Sequence, residues 1–286
     1  MPVNITLSKH AGFCAGVNRA FDKACQVSER PAYMFGDLVN NDAVIERLKD
    51  DYGIESILAT TSALRRISEG VLIIPTHGAC PDDFDEAKRR GLTVVDATCE
   101  KVGKIHQLVD DLRKRAYQIL IVGTKDHQEV RGICGWAGEE ALVISDKNPK
   151  EAEEVRLSPG RVGIVFQTTL GLDIVNSVTS ILRSRRPDID VYPTTCSVVQ
   201  RRQASVREVA EQNEVVVIIG DKKSKNTDEL HRISKAINSK TYFVQNTSEL
   251  RGSWFKGIDS VGIETGTSAA PWTIEEIVEA VKRFDE

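Results

Sequence analysis

Residues 92–112 read LTVVDATCEKVGKIHQLVDDL. A short β-branched run stops at a polar turn, Cys99 closes that turn, and an amphipathic helix of about a dozen residues follows. That is one strand-to-helix step of a parallel α/β sheet. Two other stretches repeat it: VNITLSKHAGFCAGVNRAFDKAC at 3–25 and IDVYPTTCSVVQRRQASVREVA at 189–210. The cysteines at the three strand ends are Cys14, Cys99 and Cys196, spaced 85 and 97 residues apart.

A second series follows each of these helices, with a strand that ends at a glycine before a polar loop opens the next helix. Its members are AYMFGDLVNNDAVIERL, ILIVGTKDHQEVRGICGW and VVVIIGDKKSKNTDELHRI, with Gly36, Gly123 and Gly220 in register. A third series comprises VLIIPTHGACPDDFDEAKRR, VGIVFQTTLGLDIVNSVTSIL and VGIETGTSAAPWTIEEIVEAV, which brings Thr76, Thr168 and Thr267 to equivalent places. Self-similarity at this period marks a repeat architecture. The expected fold is therefore α/β, a pseudo-threefold trefoil of three small lobes: residues 1–97 with the N-terminal strand, 98–195, and 196–286.

Composition agrees with a folded chain. Of 286 residues, 41% are hydrophobic and 28% charged, with only 9 prolines, which excludes a disordered tail protein. A net charge of −4 argues against bulk attraction to nucleic acid. The longest apolar run, Val215 to Ile219, is far short of the roughly 20 residues of a membrane span. With no signal-peptide pattern at the N-terminus, the expectation is a cytoplasmic protein with no membrane and no nucleic-acid partner.

Ligands of parallel sheets bind beyond the carboxyl ends of the strands, where helix N-termini point. Nine such loops from three lobes are expected to face one centre and to favour an anion there. At a helix N-terminus thiolate is favoured over thiol, and thiolate is the form that binds metal. Three thiolates with one open coordination position suit a four-iron four-sulfur cluster, and also suit zinc with three sulfurs and a water. Cys25 falls on an apolar helix face with Val17, Phe21 and Ala24, and Cys134 reads as packing. Cys80 lies three residues after His77, next to Pro81, and stays open as a site residue. His10 and His106 read as structural.

The ordered motifs GFCAGVNRA, THG, DATC, KDHQEV, QTTL, the cysteine of PTTC, KSKN and GTSA resemble those of the hydroxymethylbutenyl diphosphate reductase (IspH or LytB) family. The resemblance runs from Gly12 to Ser268. It implies three α/β domains enclosing a [4Fe-4S] cluster and a two-electron reductive removal of an allylic hydroxyl. The products would be isopentenyl and dimethylallyl diphosphate, at the last step of the non-mevalonate isoprenoid pathway.

Residue by residue, the resemblance implies that Cys14, Cys99 and Cys196 hold the cluster. Glu129 would deliver the proton, and Thr168 would relay it and hold the substrate hydroxyl. His77 and His127 would face the diphosphate, with Ser224, Asn226 and Ser268 binding it from the third lobe. Electrons would arrive singly from ferredoxin or flavodoxin, since no GxGxxG dinucleotide fingerprint occurs in the sequence. Each role has a structural counterpart: Glu129 suits the first turn of a helix, His77 a turn before Cys80, and Ser268 the N-cap of a final helix over Pro271–Phe284.

The chain departs from the family's pattern mainly around the diphosphate. The family's VHN motif is Val39-Asn40-Asn41 here, so Asn40 replaces a histidine. Lys225 stands for a serine between Ser224 and Asn226, Asp221 for a serine, Ala11 for an arginine, and Ser197, Val198 and Val199 follow Cys196. Either Lys225 restores the lost positive charge and the usual substrate is kept, or the chain is a paralogue for another allylic or phosphorylated substrate. A non-catalytic iron–sulfur sensor is the rival outside enzymology, disfavoured by the presence of Glu129 and Thr168.

Overall fold

The structure is a computed structural model that describes residues 3–284. It holds three four-stranded parallel sheets. The strands are β1 (Asn4–Leu7), β2 (Ala32–Phe35), β3 (Ile54–Ile57), β4 (Val71–Ile74), β5 (Thr93–Asp96), β6 (Gln118–Gly123), β7 (Leu142–Ser145), β8 (Val162–Phe166), β9 (Asp190–Val191), β10 (Val215–Ile219), β11 (Thr241–Val244) and β12 (Ser260–Thr265). The sheet orders are β3-β2-β4-β5, β7-β6-β8-β9 and β11-β10-β12-β1. The three orders are one pattern repeated, which establishes the three α/β lobes expected from the sequence.

One boundary needs correction. The sequence groups β1 with the first lobe, but β1 pairs with β12, Asn4 opposite Ser260 and Leu7 opposite Ile263. The reason lies in the repeat: each sheet takes as its fourth strand the one that ends at a cysteine. Strand β5 leads to Cys99 and β9 to Cys196, and in the third sheet the matching place is taken by β1, which leads to Cys14.

The inner strands are continuous apolar runs because both their faces are covered. Along β10, Val215, Val217 and Ile219 pack with Ile277 and Val281 of the helix Pro271–Arg283. Val216 and Ile218 point the other way, against Val206, Val209, Leu230 and Ile233. The second lobe repeats the sandwich: Leu120, Val122, Ile164 and Phe166 meet Val178 and Leu182, while Ile119, Ile121 and Val165 meet Ile105, Val109 and Leu112. Two compact units result. One carries the first two sheets, with Arg19–Leu38 and Leu48–Cys196; the other carries the third sheet, with the segment up to Asn18, Val39–Arg47 and the chain from Ser197. Among the described residues no helix is long and apolar enough to cross a membrane.

Candidate active site

Each of the three cysteines ends a strand-to-helix turn directly before a helix: Ala15–Cys25, Glu100–Lys114 and Ser197–Gln212. None of the three is in a disulfide, and all three are half-buried. The backbone N–H of each donates to the carbonyl of the threonine that the repeat places in register. These bonds are Cys14 to Thr267 at 3.1 Å, Cys99 to Thr76 at 3.0 Å, and Cys196 to Thr168 at 2.9 Å. The lobes thus present their cysteines by one backbone device used three times.

The unit of the first two lobes holds the acid. Glu129 is in the first turn of the helix Gln128–Ala137 and is buried. Its Oε1 accepts the N–H of Thr168 at 2.7 Å and its Oε2 accepts the Thr168 hydroxyl at 2.8 Å. Burial holds the Glu129 carboxyl above the ordinary range, against these two bonds, which favour the charged form. Thr168 therefore touches the acid with its N–H and hydroxyl and Cys196 with its carbonyl.

His127 caps the same helix, its Nδ1 accepting the Glu129 N–H at 3.2 Å. An accepting Nδ1 leaves the proton of the neutral ring on Nε2. His77 lies edge-on to it, ring centroids 5.1 Å apart. Burial first, and then the charge of His127, pull His77 down to about 3, so its imidazole is neutral at physiological pH. Two bonds anchor the helix beside these rings: Trp136 Nε1 donates to the carbonyl of Ala79 at 3.0 Å, and Gln128 Nε2 to that of Phe35 at 2.9 Å.

His106 is buried and stacks on Trp136 at 5.6 Å. A Cβ on Gly78 would meet His106 Cε1 at 2.5 Å, and φ at Gly78 is +74°, so glycine is required twice over in the THG turn. His106 thus supports the His77 turn from behind. Cys80, left open by the sequence, is the N-cap of the helix Pro81–Arg89, and its Sγ donates to Asp83 Oδ2 at 2.9 Å. Burial and that carboxylate push its thiol up to about 11, away from the thiolate a metal needs. Cys134 is half-buried against the core of the second lobe, and Cys25 is half-buried.

The other unit holds the remaining polar residues. Ser224 caps the helix Lys225–Ile237 by accepting the N–H of Thr227 at 3.3 Å. Asn226 is 2% exposed, yet neither its Nδ2 nor its Oδ1 has a hydrogen-bond partner among the described residues. A buried amide left this way is what a bound polar ligand would satisfy. Ser268 is buried and its hydroxyl lies 3.4 Å from the carbonyl of Asn40. The N-cap of the last helix is Ala270, so Ser268 is not that cap and is free of the structural role the sequence offered it.

Sequence reasoning gave Asn41 no role and recorded Asp221 only as a departure from the family's pattern. Asn41 is buried and its Nδ2 donates to the Ser268 carbonyl at 2.8 Å. Asp221 accepts the N–H of Asp42 at 3.0 Å and that of Lys223 at 2.8 Å, while Lys223 pairs with Asp42 at 2.6 Å. Together they fasten the Asn40 turn to the Ser224 turn. The signal available beforehand was an acid placed before a helix start, on either side of the pair.

Among the described residues no three His, Cys, Asp or Glu side chains gather closely enough to hold a single metal ion. For a cluster ligated by three thiolates the donor set fits: three unbridged cysteines, each half-buried at the start of a helix and each hung from its threonine.

A family model described as LytB protein matches residues 5–282. The 4-hydroxy-3-methylbut-2-enyl diphosphate reductase of Trichlorobacter lovleyi is 33% identical over 280 residues, covering 96% of each chain. That of Aquifex aeolicus is 33% identical over 292 residues, covering 99% of this chain and 98% of its own. A solved (E)-4-hydroxy-3-methyl-but-2-enyl diphosphate reductase, described as the terminal enzyme of the non-mevalonate pathway, is 32% identical with a TM-score of 0.69, covering 98% of this chain and 99% of its own. The Plasmodium falciparum E-1-hydroxy-2-methyl-but-2-enyl-4-diphosphate reductase shares the fold at a TM-score of 0.88 and 23% identity, over 98% of this chain and 88% of its own.

Proposed function

Because the chain belongs to the LytB family, we propose that it reduces (E)-4-hydroxy-3-methylbut-2-enyl diphosphate to isopentenyl and dimethylallyl diphosphates. Two electrons and two protons replace the allylic hydroxyl by hydrogen and release water. The observation that carries the proposal is the triple use of Thr168, which binds both oxygens of a buried acid and the N–H of Cys196. An acid placed this way next to a cysteine turn whose geometry recurs in all three lobes is what proton-coupled reduction needs.

Cys14, Cys99 and Cys196 would hold a [4Fe-4S] cluster, which when bound supplies single electrons and a Lewis-acidic iron toward the hydroxyl. Burial raises the hold of Glu129 on its proton by disfavouring the carboxylate. When Glu129 is protonated on Oε2, the Thr168 hydroxyl turns to accept that proton's hydrogen bond and points its own O–H away from the acid. Proton movement from Oε2 to Oγ1, with release of the hydroxyl proton on the far side, makes Thr168 a one-residue relay.

Hydroxide is a poor leaving group, and a proton at this point lowers the barrier for C–O cleavage. His77, a neutral ring, and His127 face the diphosphate, with the Nε2–H of His127 as donor. Asn226, Ser224 and Ser268 supply uncharged donors, and Asn40 supplies one where the family has histidine. Lys225, the first residue of its helix, adds charge at an end that already favours an anion. Ferredoxin or flavodoxin is the expected donor of electrons.

Anaerobic purification with iron and sulfide analysis, then a dithionite and viologen assay on the allylic diphosphate, tests this reading. Cluster with turnover is the expected result. Cluster without turnover on that substrate would favour a paralogue or sensor, and absence of iron after reconstitution would overturn the reading.

A further inference from the structure

The sixth residue after each repeated cysteine occupies the same place on its helix. These residues are Ala20, Ile105 and Arg202, and all three are at most 2% exposed. Packing alone is served by the first two. The third lobe buries a guanidinium at this position, and the strand end below it has changed in step. Residues 264 and 265 are Glu and Thr where the other lobes have Val165 and Phe166, or Ile73 and Ile74, and all six are fully buried.

The guanidinium spans the two backbone segments that present Cys14. Its Nη2 donates to the carbonyl of Gly12 at 2.5 Å, and its Nη1 to the carbonyl of Thr265 at 2.7 Å and to the Thr265 hydroxyl at 3.1 Å. The same hydroxyl accepts the N–H of Gly12 at 2.9 Å. Two residues further along each segment, the Cys14 N–H meets the Thr267 carbonyl at 3.1 Å. The turn between them is left-handed at Gly12, φ +85°, a conformation that needs holding. One turn of helix beyond Arg202, the Ser205 hydroxyl lies 3.1 Å from that of Ser8, closing the base of the same turn.

We infer that Arg202 is a positioning residue for Cys14: its fork locks the Gly12 turn to the end of β12 and keeps a fixed positive charge on the Cys14 side of the cluster. The inference rests on Cys14 being a cluster ligand. Burial lowers the proton affinity of the guanidinium, while Glu264 and Cys14 as negative neighbours raise it, and arginine stays charged throughout. A cluster's potential responds to net charge and hydrogen bonding around its ligands. Neither of the other lobes offers a cation at the equivalent position, so the three cysteines are electrostatically unequal.

The test pairs Arg202→Met with Arg202→Lys in the full chain. Amide exchange of residues 8–14 in the metal-free protein reads the turn, and spectroelectrochemistry of the reconstituted protein reads the potential. Methionine removes fork and charge, so exchange at the Gly12 and Cys14 amides quickens by about tenfold or more and the midpoint potential falls. Lysine keeps the charge without the fork: exchange quickens by a similar factor and the potential stays near that of the wild type. Exchange and potential both unchanged in Arg202→Met overturn the inference. Should that variant fail to fold, unchanged exchange in Arg202→Lys overturns it instead. A wild-type chain that takes up no iron sinks the cluster reading and, with it, the charge half of the inference, while the exchange arm still decides the role of the fork.

Discussion

Glu129 and Thr168 share two hydrogen bonds, one to each carboxyl oxygen, at 2.7 and 2.8 Å. Both donors come from the threonine, so the pair as it stands suits a carboxylate, while burial suits the acid. Glu129→Gln keeps the shape of the side chain but has no proton to transfer. Its kcat on the allylic diphosphate falls by about 10²–10⁴-fold, the usual worth of a positioned general acid. KM changes little, because the group does not hold the diphosphate. Wild-type kcat declines as pH rises through the raised pKa of Glu129, and the variant lacks that limb. A variant that keeps half the wild-type kcat removes Glu129 from the proton path.

The same shift links to stability, with a definite sign. The folded chain holds the Glu129 proton more tightly than the unfolded chain, whose value is near 4.5. The stabilisation this gives is complete below that value and is lost as pH climbs through the folded pKa. Thermal melts of the metal-free protein therefore show wild type losing ground to Glu129→Gln as pH rises above the unfolded value near 4.5. A gap in Tm that stays constant over that rise contradicts the burial argument.

Thr168→Val removes the hydroxyl and leaves Oε2 with no donor, at a cost of about 1–3 kcal/mol in stability. The bond it deletes favours the charged form, so the Glu129 pKa moves further up. The backbone bonds to Glu129 and Cys196 survive, and iron content is unchanged. Activity drops with the relay, whereas Thr168→Ser restores most of it. Equal activity in the Val and Ser variants is the outcome that rules the relay out.

Two substitutions of His127 separate its structural and binding work. Alanine loses the Nδ1 cap of the helix Gln128–Ala137 and destabilises the protein by about 1 kcal/mol. Asparagine caps well but has no donor at the reach of Nε2. Both variants raise KM for the diphosphate, and only alanine lowers the Tm. Steady-state kinetics with melts on the same preparations distinguish them; an asparagine variant with wild-type KM takes His127 off the diphosphate.

The three lobes were legible because the repeat is local: strand, turn, cysteine and helix lie within about 20 residues each time. The place of β1 was not, since its pairing with β12 joins residues 256 apart, Asn4 and Ser260. Glu129, His127 and Thr168 could be picked out by side-chain chemistry. The threonine carbonyls that hold the cysteines could not, because any residue has a carbonyl, and only the fold aims it. Arg202 was hidden for a third reason. In the run QRRQ it reads as a solvated charge, and only the sheet beside it reveals which of Arg201 and Arg202 is inside.

Six cysteines divide into two groups by environment, and single Ser substitutions test the division. Cys14, Cys99 and Cys196 share the threonine-carbonyl anchor. Cys80 instead donates to Asp83, and Cys134 is raised by burial. Iron per chain after anaerobic reconstitution drops steeply in each of the first three variants and stays at the wild-type level in Cys25→Ser, Cys80→Ser and Cys134→Ser. Loss of iron on replacing Cys80 would mean that its thiol reaches the cluster and that its bond to Asp83 breaks in the loaded protein.

Asn40 offers the sharpest comparison between the two substrate readings. It sits in the turn that Asn41 and Asp221 fasten to Ser268 and to the Ser224 loop, so the backbone at this position is held in place. If that turn faces the usual diphosphate, the unaltered protein is already active on it, with Lys225 and the helix ends supplying positive charge. Asn40→His then lowers KM several-fold, most at pH below about 6.5, where an unperturbed imidazole becomes charged, and leaves kcat within about twofold. A retuned pocket behaves differently: wild type turns over the usual substrate poorly at any concentration, and the histidine restores kcat along with KM. Measuring kcat and KM separately for both proteins at pH 6 and pH 8 decides between them.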